Sequence, residues 1–284
     1  MLEYGMMSDN DILEAIKECE LCITPFSDKQ LTPVGFNFSF SRFVVSVNQK
    51  IFFKIYEEND ERFFYLAPGD TAVALTKESI WVSKNIGGTF HSKVSYVARG
   101  LGHISTTLDP LWQGQLLISL NNPSKREIKV IIANNENGKW VETTFITLCM
   151  YRMGTEARKP SDNNSARLDT LYTILKDTKS KSEKQKQVID IVKNIMRFMA
   201  DQKQNNLSDP DNIEKKEDIK TFIDNHEALM KKWDNEYPRI QELNDRIISF
   251  KRLCNILLNI GFILFVVVLG INEIKEQMIQ SLNK

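Results

Sequence analysis

The sequence predicts a mainly β fold, a compact barrel or sandwich behind one short helix, followed by an α-helical stalk and one C-terminal transmembrane helix. Three observations carry this. Short runs of β-formers crowd the stretch from Phe36 to about Arg152, with turn signals between them. After Met153 strand signal almost vanishes, and apolar residues recur at intervals of three and four. From Leu253 to Ile271 the chain carries no charge. A length of 284 residues suits one or two domains with ample chain for a core.

The elements follow in order. Residues 1–10, "MLEYGMMSDN", lack the basic and apolar regions of a secretory signal. In "SDNDILEAIKECELCI", Ser8 or Asp9 caps a short amphipathic helix whose apolar positions are Ile12, Leu13, Ile16 and Leu21. The β-runs are "FNFSFSRFVVSV", "KIFFKIY", "RFFYLA", "TAVALT", "SIWVS", "QLLISLNN", "IKVIIA" and "FITLCMYRM". Asn59-Asp60, Pro68-Gly69, Gly87-Gly88, Asn121-Asn122-Pro123 and Asn137-Gly138 mark turns between them.

"GTEARKPSDNNSA" reads as a polar linker. Residues 165–203 read as one helix with a solvated middle and a seam of Val188, Val192, Ile195 and Met199. "QNNLSDPDN" breaks it, and a second helix begins near Asp211. Its seam holds Ile219, Ile223, His226, Met230, Trp233 and Tyr237; Pro238 interrupts or restarts it, and Ile240 and Ile247 continue into the apolar run. A helical hairpin and a trimeric stalk both fit this pattern. His226 reads as a core polar residue rather than a ligand.

The apolar run has the roughly 20-residue length a bilayer core requires. Phe, Val, Ile and Leu occupy every face of residues 260–271, where a soluble surface helix would show a polar side; a buried helix of a soluble bundle is the alternative. Asn255 and Asn259 share a face for hydrogen bonds across a helix pair. Arg246, Lys251 and Arg252 on the preceding flank predict a single-pass protein with its bulk cytoplasmic.

Thirty-seven basic residues balance 37 acidic ones, which argues against a general nucleic-acid binder. Four scattered cysteines do not make a disulfide framework. Cys19 and Cys22 form a CxxC, but without a second pair or a βαβ context they read as small residues flanking a helix end.

The chemistry concentrates in residues 91–122, "HSKVSYVARGLGHISTTLDPLWQGQLLISLNN". Ser95 and Arg99, one turn apart, present a hydroxyl and a guanidinium to one anion. Asp109, held in a corner by Pro110, offers a carboxylate for a sugar hydroxyl or for a proton from attacking water. Trp112 lies three residues on, in reach of the sugar. An ordinary β-hairpin also accounts for this spacing.

Residues 8–153 resemble the family of dCTP deaminases and trimeric dUTPases. The opening "SDNDILEAIKECELCITPF", the strand "LTPVGFNFSFS" and the stretch "YLAPGDTAVALTKESIWV" are similar to the deaminase pattern. "SYVAR" resembles Ser-x-x-Ala-Arg, and "LDPLWQGQLLISLNN" the hydrophobic-Asp-x-x-aromatic-x-Gly motif of both branches. The patterning of the sequence gives a linker at 156–164, a helical or coiled-coil region over 165–250, the membrane helix at 253–272 and a short tail at 273–284, and the resemblance implies a nucleotide-binding domain over 1–155. It implies a homotrimer with sites shared between subunits, acting on a deoxypyrimidine triphosphate. Ser95 would contact phosphates or position water, Arg99 the phosphates or base, and Asp109 the 3′-hydroxyl or the attacking water. Trp112 would pack on the deoxyribose. Lys93 and Gln113 would join the binding set, with Mg²⁺ on the phosphates because Arg99 and Lys93 do not neutralise three of them. Residues 100–108 would read the pyrimidine edge; His103 lies there, as a base reader or an exposed hairpin residue.

The departures bear on the reaction. Ser119 stands where deaminases carry the Glu that shuttles the proton for ammonia loss, and a hydroxyl is a poor general base. Leu111 replaces a dUTPase acid, and Asn37 a deaminase Asp. No Gly-rich phosphate-closing segment follows residue 153, which predicts a slow or non-catalytic site. Zinc-dependent deamination lacks its His-x-Glu and Pro-Cys-x-x-Cys signatures. Hydrolysis of dUTP to dUMP is therefore favoured over deamination of dCTP. The alternatives are a nucleotide sensor coupled to a membrane effector, as in antiviral defence, and a tethered β-domain that has lost its ligand.

Overall fold

The computed structural model describes residues 4–102, 106–158, 167–177, 182–206 and 215–282; the side chains of 202–206, 215–216 and 261–282 are outside that description. The chain enters as β1 (Gly5–Met6) and α1 (Asp9–Lys17). Ser8 caps α1 reciprocally: its Oγ accepts from the Asp11 N–H at 3.3 Å, and Asp11 Oδ2 accepts from the Ser8 N–H at 2.7 Å. Then come β2 (Leu21–Thr24), a 3-10 turn (Asp28–Gln30), β3 (Leu31–Thr32), β4 (Gly35–Ser46), β5 (Ile51–Phe52), β6 (Tyr56–Glu58) and β7 (Glu61–Leu66). β8 (Thr71–Val82), β9 (Ile86–Ser92), α2 (Val94–Val97), β10 (Thr107–Leu108) and β11 (Gln113–Asn121) follow. β12 (Ile128–Glu136), β13 (Lys139–Glu142) and β14 (Thr144–Arg152) close the β part.

The larger sheet runs β10-β9-β14-β4-β8-β11, with β1 on β14, β2 on β8, and β3 and β5 on β4; the smaller runs β13-β12-β7-β6. Alternation along β4 divides its side chains. Phe36, Phe38, Phe40 and Val44 enter a core between the sheets, where Phe40 stacks on Phe145 at 3.9 Å, while Phe43 and Val45 enter a second core. β8 does the same, sending Ala72, Ala74, Ile80 and Val82 one way and Leu75 the other.

Three local expectations change. "TAVALT" and "SIWVS" are one twelve-residue strand, because Thr76 and Glu78 are satisfied inside it and no turn intervenes. Gly87-Gly88 is strand, not turn; a Cβ on Gly88 would lie 2.7 Å from the Cys149 carbonyl oxygen, so the glycine permits the close approach of β14. "KWVE" forms β13 although its apolar content is low, because it pairs with β12 across the Asn137-Gly138 turn.

The second core is helical on its other side. α3 (Leu168–Lys176), α4 (Glu183–Asn206) and α5 (Lys215–Leu282) bring Leu171, Val188, Val192, Ile195, Trp233 and Ile240 against Phe43, Phe52 and Leu75. The single helix expected over 165–203 is thus two, and Ser182 and Gln185 form a fresh capping box for α4. The seam residues Val188, Val192, Ile195, Trp233 and Ile240 face the chain's own sheet, so α4 and the part of α5 around Trp233 and Ile240 form a layer on the β-domain. α5 continues through Pro238; Trp233 and Ile240, both 0 % exposed on either side of it, hold the helix against the roughly 3 kcal/mol proline penalty.

The expected membrane span is not supported: among the described residues no helix is long and apolar enough to cross a membrane. Of that span, 253–272, the side chains from 261 onward lie outside the described residues.

Candidate functional site

α2 is one turn long, and Tyr96 fixes it. The Tyr96 ring is buried in the main core beside Phe40, and its hydroxyl donates to the Ile131 carbonyl at 3.4 Å. That anchor turns Ser95 and Arg99 outward to a cleft of about 480 Å³. Across it lie Ser27, Lys29 and Gln30 from the 3-10 turn, Ser39 of β4, and Thr143 and Thr144 at the start of β14. Lys93, just before α2, donates to Thr144 Oγ1 at 2.5 Å, and partial burial lowers its pKa. The acids on the rim are Glu136 and Glu142; Lys77 pairs with Glu142 at 2.6 Å. Three cations and several hydroxyls on one cleft make an anion site.

Behind the floor sits Glu78, 1 % exposed. Its Oε1 accepts from Gln30 Nε2 at 2.6 Å and its Oε2 from the Ser39 N–H at 2.8 Å. Burial pushes its carboxyl above the usual range, against the pull of those hydrogen bonds. The neighbouring β8 residues face the helical layer: the Ser79 hydroxyl lies 2.8 Å from His226 Nδ1 on α5. Burial, with the Lys77 charge second, lowers the His226 pKa to about 4. Thr76 offers its carbonyl to Gln115 Nε2, which also lies 3.5 Å from Met230 Sδ.

The expected site residues divide. Lys93, Ser95 and Arg99 share the cleft; Asp109, Trp112, Gln113 and Ser119 do not line it. Asp109 follows β10 and accepts from Thr107 Oγ1 at 3.2 Å. Trp112 is 6 % exposed in the main core, with its Nε1 donating to the Gly114 carbonyl at 3.3 Å, so within one chain its ring offers no open face to a sugar. Gln113 pairs with Trp81, and Ser119 pairs with Val73 on the β11 face that carries Leu117 to the helices. His103 lies outside the described residues. Sequence reasoning missed Gln30, Ser39, Thr143 and Thr144, whose residue types carry no motif. Glu78 was visible only as part of the stretch "YLAPGDTAVALTKESIWV".

Among the described residues no cluster of three or more His, Cys, Asp or Glu side chains could hold a metal ion. The donor set of the cleft suits an anion, so Mg²⁺ fits it only as a counter-ion carried on phosphates. Cys22 is buried and its thiol is pushed up to about 11, the setting of an inert core cysteine.

Comparison with known proteins agrees with the motifs. The model of the dCTP deaminase-like family matches residues 6–133. The dCTP deaminase, dUMP-forming, of Tropheryma whipplei (strain Twist) is 24% identical over 167 residues, covering 54% of this chain and 81% of that protein. The dCTP deaminase of Pyrococcus abyssi is 27% identical over 145 residues, covering 51% and 85%. Among solved structures, the 2′-deoxycytidine 5′-triphosphate deaminase of Agrobacterium tumefaciens aligns with a TM-score of 0.40 at 11% identity, over 52% of this chain and 48% of that one. The EIAV dUTPase aligns with a TM-score of 0.27 at 20% identity, over 43% and 98%. Residues 6–133 of the β-domain are thus similar to the dCTP deaminase-like family.

Proposed function

We propose that the cleft binds the phosphates of a deoxypyrimidine nucleoside triphosphate through Lys93, Ser95 and Arg99, and that the protein acts in pyrimidine deoxynucleotide metabolism. The observation that carries this is the convergence of those three side chains on one cleft of about 480 Å³ within a domain similar to this family. Asp109 is assigned to the same reaction from a second copy, in a homotrimer whose sites lie between subunits. In favour of that arrangement, Asp109 does not line the cleft of its own chain, and Val94 and Val97 stand 82% and 54% exposed on α2 beside Ser95.

Asp109 then orients the sugar and takes a proton from water attacking a phosphorus. Lys93 and Arg99 balance the charge that develops on the phosphate oxygens. Mg²⁺ would arrive on the triphosphate and spread that charge further. Ser119 in place of a carboxylate favours hydrolysis to the monophosphate over loss of ammonia.

The test uses the full chain with dCTP or dUTP and Mg²⁺. Arg99→Ala and Asp109→Ala should each abolish turnover, and mixing the two variants should restore it through shared sites. Failure of the mixture while wild type turns over would refute the shared site; dUTP and ammonia from dCTP would refute hydrolysis.

A second reading, a nucleotide sensor coupled to a membrane, is favoured by one observation. Phe250, Leu253, Ile256, Leu257, Leu258 and Ile260 are each at least 48% exposed as α5 leaves the β-domain. In this reading the apolar run to Ile271 enters a bilayer, with the β-domain on the cytoplasmic side. Tight nucleotide binding without turnover, and recovery of the full chain with membranes, would select it; a full chain that stays in the aqueous fraction would exclude it.

A further inference from the structure

α5 outruns the domain it packs on. Among the described residues its last buried side chain is Ile247, 4 % exposed, and its last polar contact with the β-domain is Lys251 Nζ donating to the Gln49 carbonyl at 3.5 Å. The helix itself runs on to Leu282, about 50 Å beyond Ile247 at about 1.5 Å per residue. On that projecting part Phe250, Leu253, Leu257 and Ile260 stand 60%, 53%, 58% and 48% exposed. They step by three, four and three residues, the a/d spacing of a coiled coil. In the sequence the step continues without a break through Leu264, Val267, Ile271, Ile274 and Met278, all apolar.

The polar residues sort by the same repeat. Lys251, Arg252, Asn255 and Asn259 fall at b, c, f and c, away from the seam. Beyond the charge-free run Asn272, Glu273 and Glu276 fall at b, c and f again, so both ends keep one phase across it. Contact with lipid alone sets no such period, whereas a facing helix sets one of 3.5 residues. A second copy of this chain carries the matching spacing by construction. Each copy launches α5 from the same place on its own β-domain, so parallel copies meet Phe250 to Phe250. Leucine at a (Leu257, Leu264) with β-branched residues at d (Ile260, Val267, Ile274) disfavours a two-stranded parallel coil and suits three or more strands.

We propose that the distal half of α5 is a self-association surface, joining three or more parallel, in-register copies of this chain along the seam from Phe250 to Met278. The proposal is independent of what the cleft holds. It gives to protein the positions that a lone helix in a bilayer would give to lipid.

The test is disulfide cross-linking of the purified full chain, in buffer and again with phosphatidylcholine vesicles. Cys19→Ser and Cys254→Ser first remove the two partly exposed thiols. In that background Leu253→Cys and Ile260→Cys, both at d, should each give a two-chain product at least about fivefold faster than Leu258→Cys, at b and 71% exposed. Links at both 253 and 260 require parallel chains. An antiparallel pair that brought one position together would hold the other about 20 Å apart, beyond the roughly 7 Å a disulfide spans. Leu253→Cys with Ile260→Cys in one chain should give three-chain products, and a ladder that stops at two chains overturns the proposal. Equal rates at 253, 258 and 260 overturn it as well. Links that form in buffer and vanish with vesicles make lipid the occupant and overturn it too. A chain that binds nucleotide but links at no position overturns the proposal and leaves the nucleotide reading of the cleft intact.

Discussion

Trp233 allows the grip of the helical layer on the sheet to be measured. The side chain is 0 % exposed, its ring lies 4.2 Å from that of Phe43 at 38°, and its Nε1 finds no hydrogen-bond partner among the described residues. Trp233→Ala removes the ring from a closed site, and such truncations cost about 3–5 kcal/mol. Trp233→Phe keeps a ring over Phe43 and sheds the orphaned N–H. The lost carbon volume costs about 2 kcal/mol, at roughly 0.8 kcal/mol per methylene equivalent. Removing a buried unpaired donor returns about 1–3 kcal/mol. The phenylalanine variant should therefore fall within about 1 kcal/mol of wild type, from the difference of those two ranges. Urea unfolding of the full chain, with midpoints compared at equal slope, measures both. A phenylalanine variant as unstable as the alanine one would refute the reasoning, because the indole nitrogen would then have a partner that matters.

Two other expectations follow. His226 titrates near pH 4 when folded against 6.5 unfolded, so the unfolded chain binds the extra proton first. Its contribution is complete above about pH 6.5 and is lost as pH falls toward 4, by about 3 kcal/mol in all; His226→Gln should flatten that slope in unfolding midpoints taken between pH 7 and 4.5. Gly88→Ala forces a Cβ against the Cys149 carbonyl oxygen and should destabilise by about 1–3 kcal/mol, while Gly154→Ala, with nothing within 4 Å of the new carbon, should be neutral by thermal melting.

Periodicity made the elements legible but not their partners. The alternation in "FNFSFSRFVVSV" announces a strand, and the spacing of Val188, Val192, Ile195 and Met199 announces a buried helical face. That this face meets Phe43 and Leu75 was hidden, because spacing reports which side is buried and not against what. The cleft splits the same way. Ser95 and Arg99 are four residues apart on one short turn and can be read together. Gln30 and Glu78 are 48 residues apart, and only folding brings them to 2.6 Å. Trp112 shows the opposite error: an aromatic next to a corner suggests a stacking platform, but the β11 alternation that buries Leu116 and Ile118 carries its ring inward.

The short stretch Thr76–Ser79 of β8 lies between two territories. Lys77 reaches Glu142 on the rim of the cleft and Glu78 reaches Gln30 on its floor, while Ser79 meets His226 and the Thr76 carbonyl meets Gln115 under α5. The pairing of β8 with β11 shifts register between Gln115 and Leu117, and its pairing with β4 shifts between Phe40 and Val44, so the strand is least tightly clamped there. The same four residues of backbone therefore carry contacts both to the cleft and to the long helix. By thermodynamic reciprocity, any free energy that passes along this strand in one direction passes equally in the other.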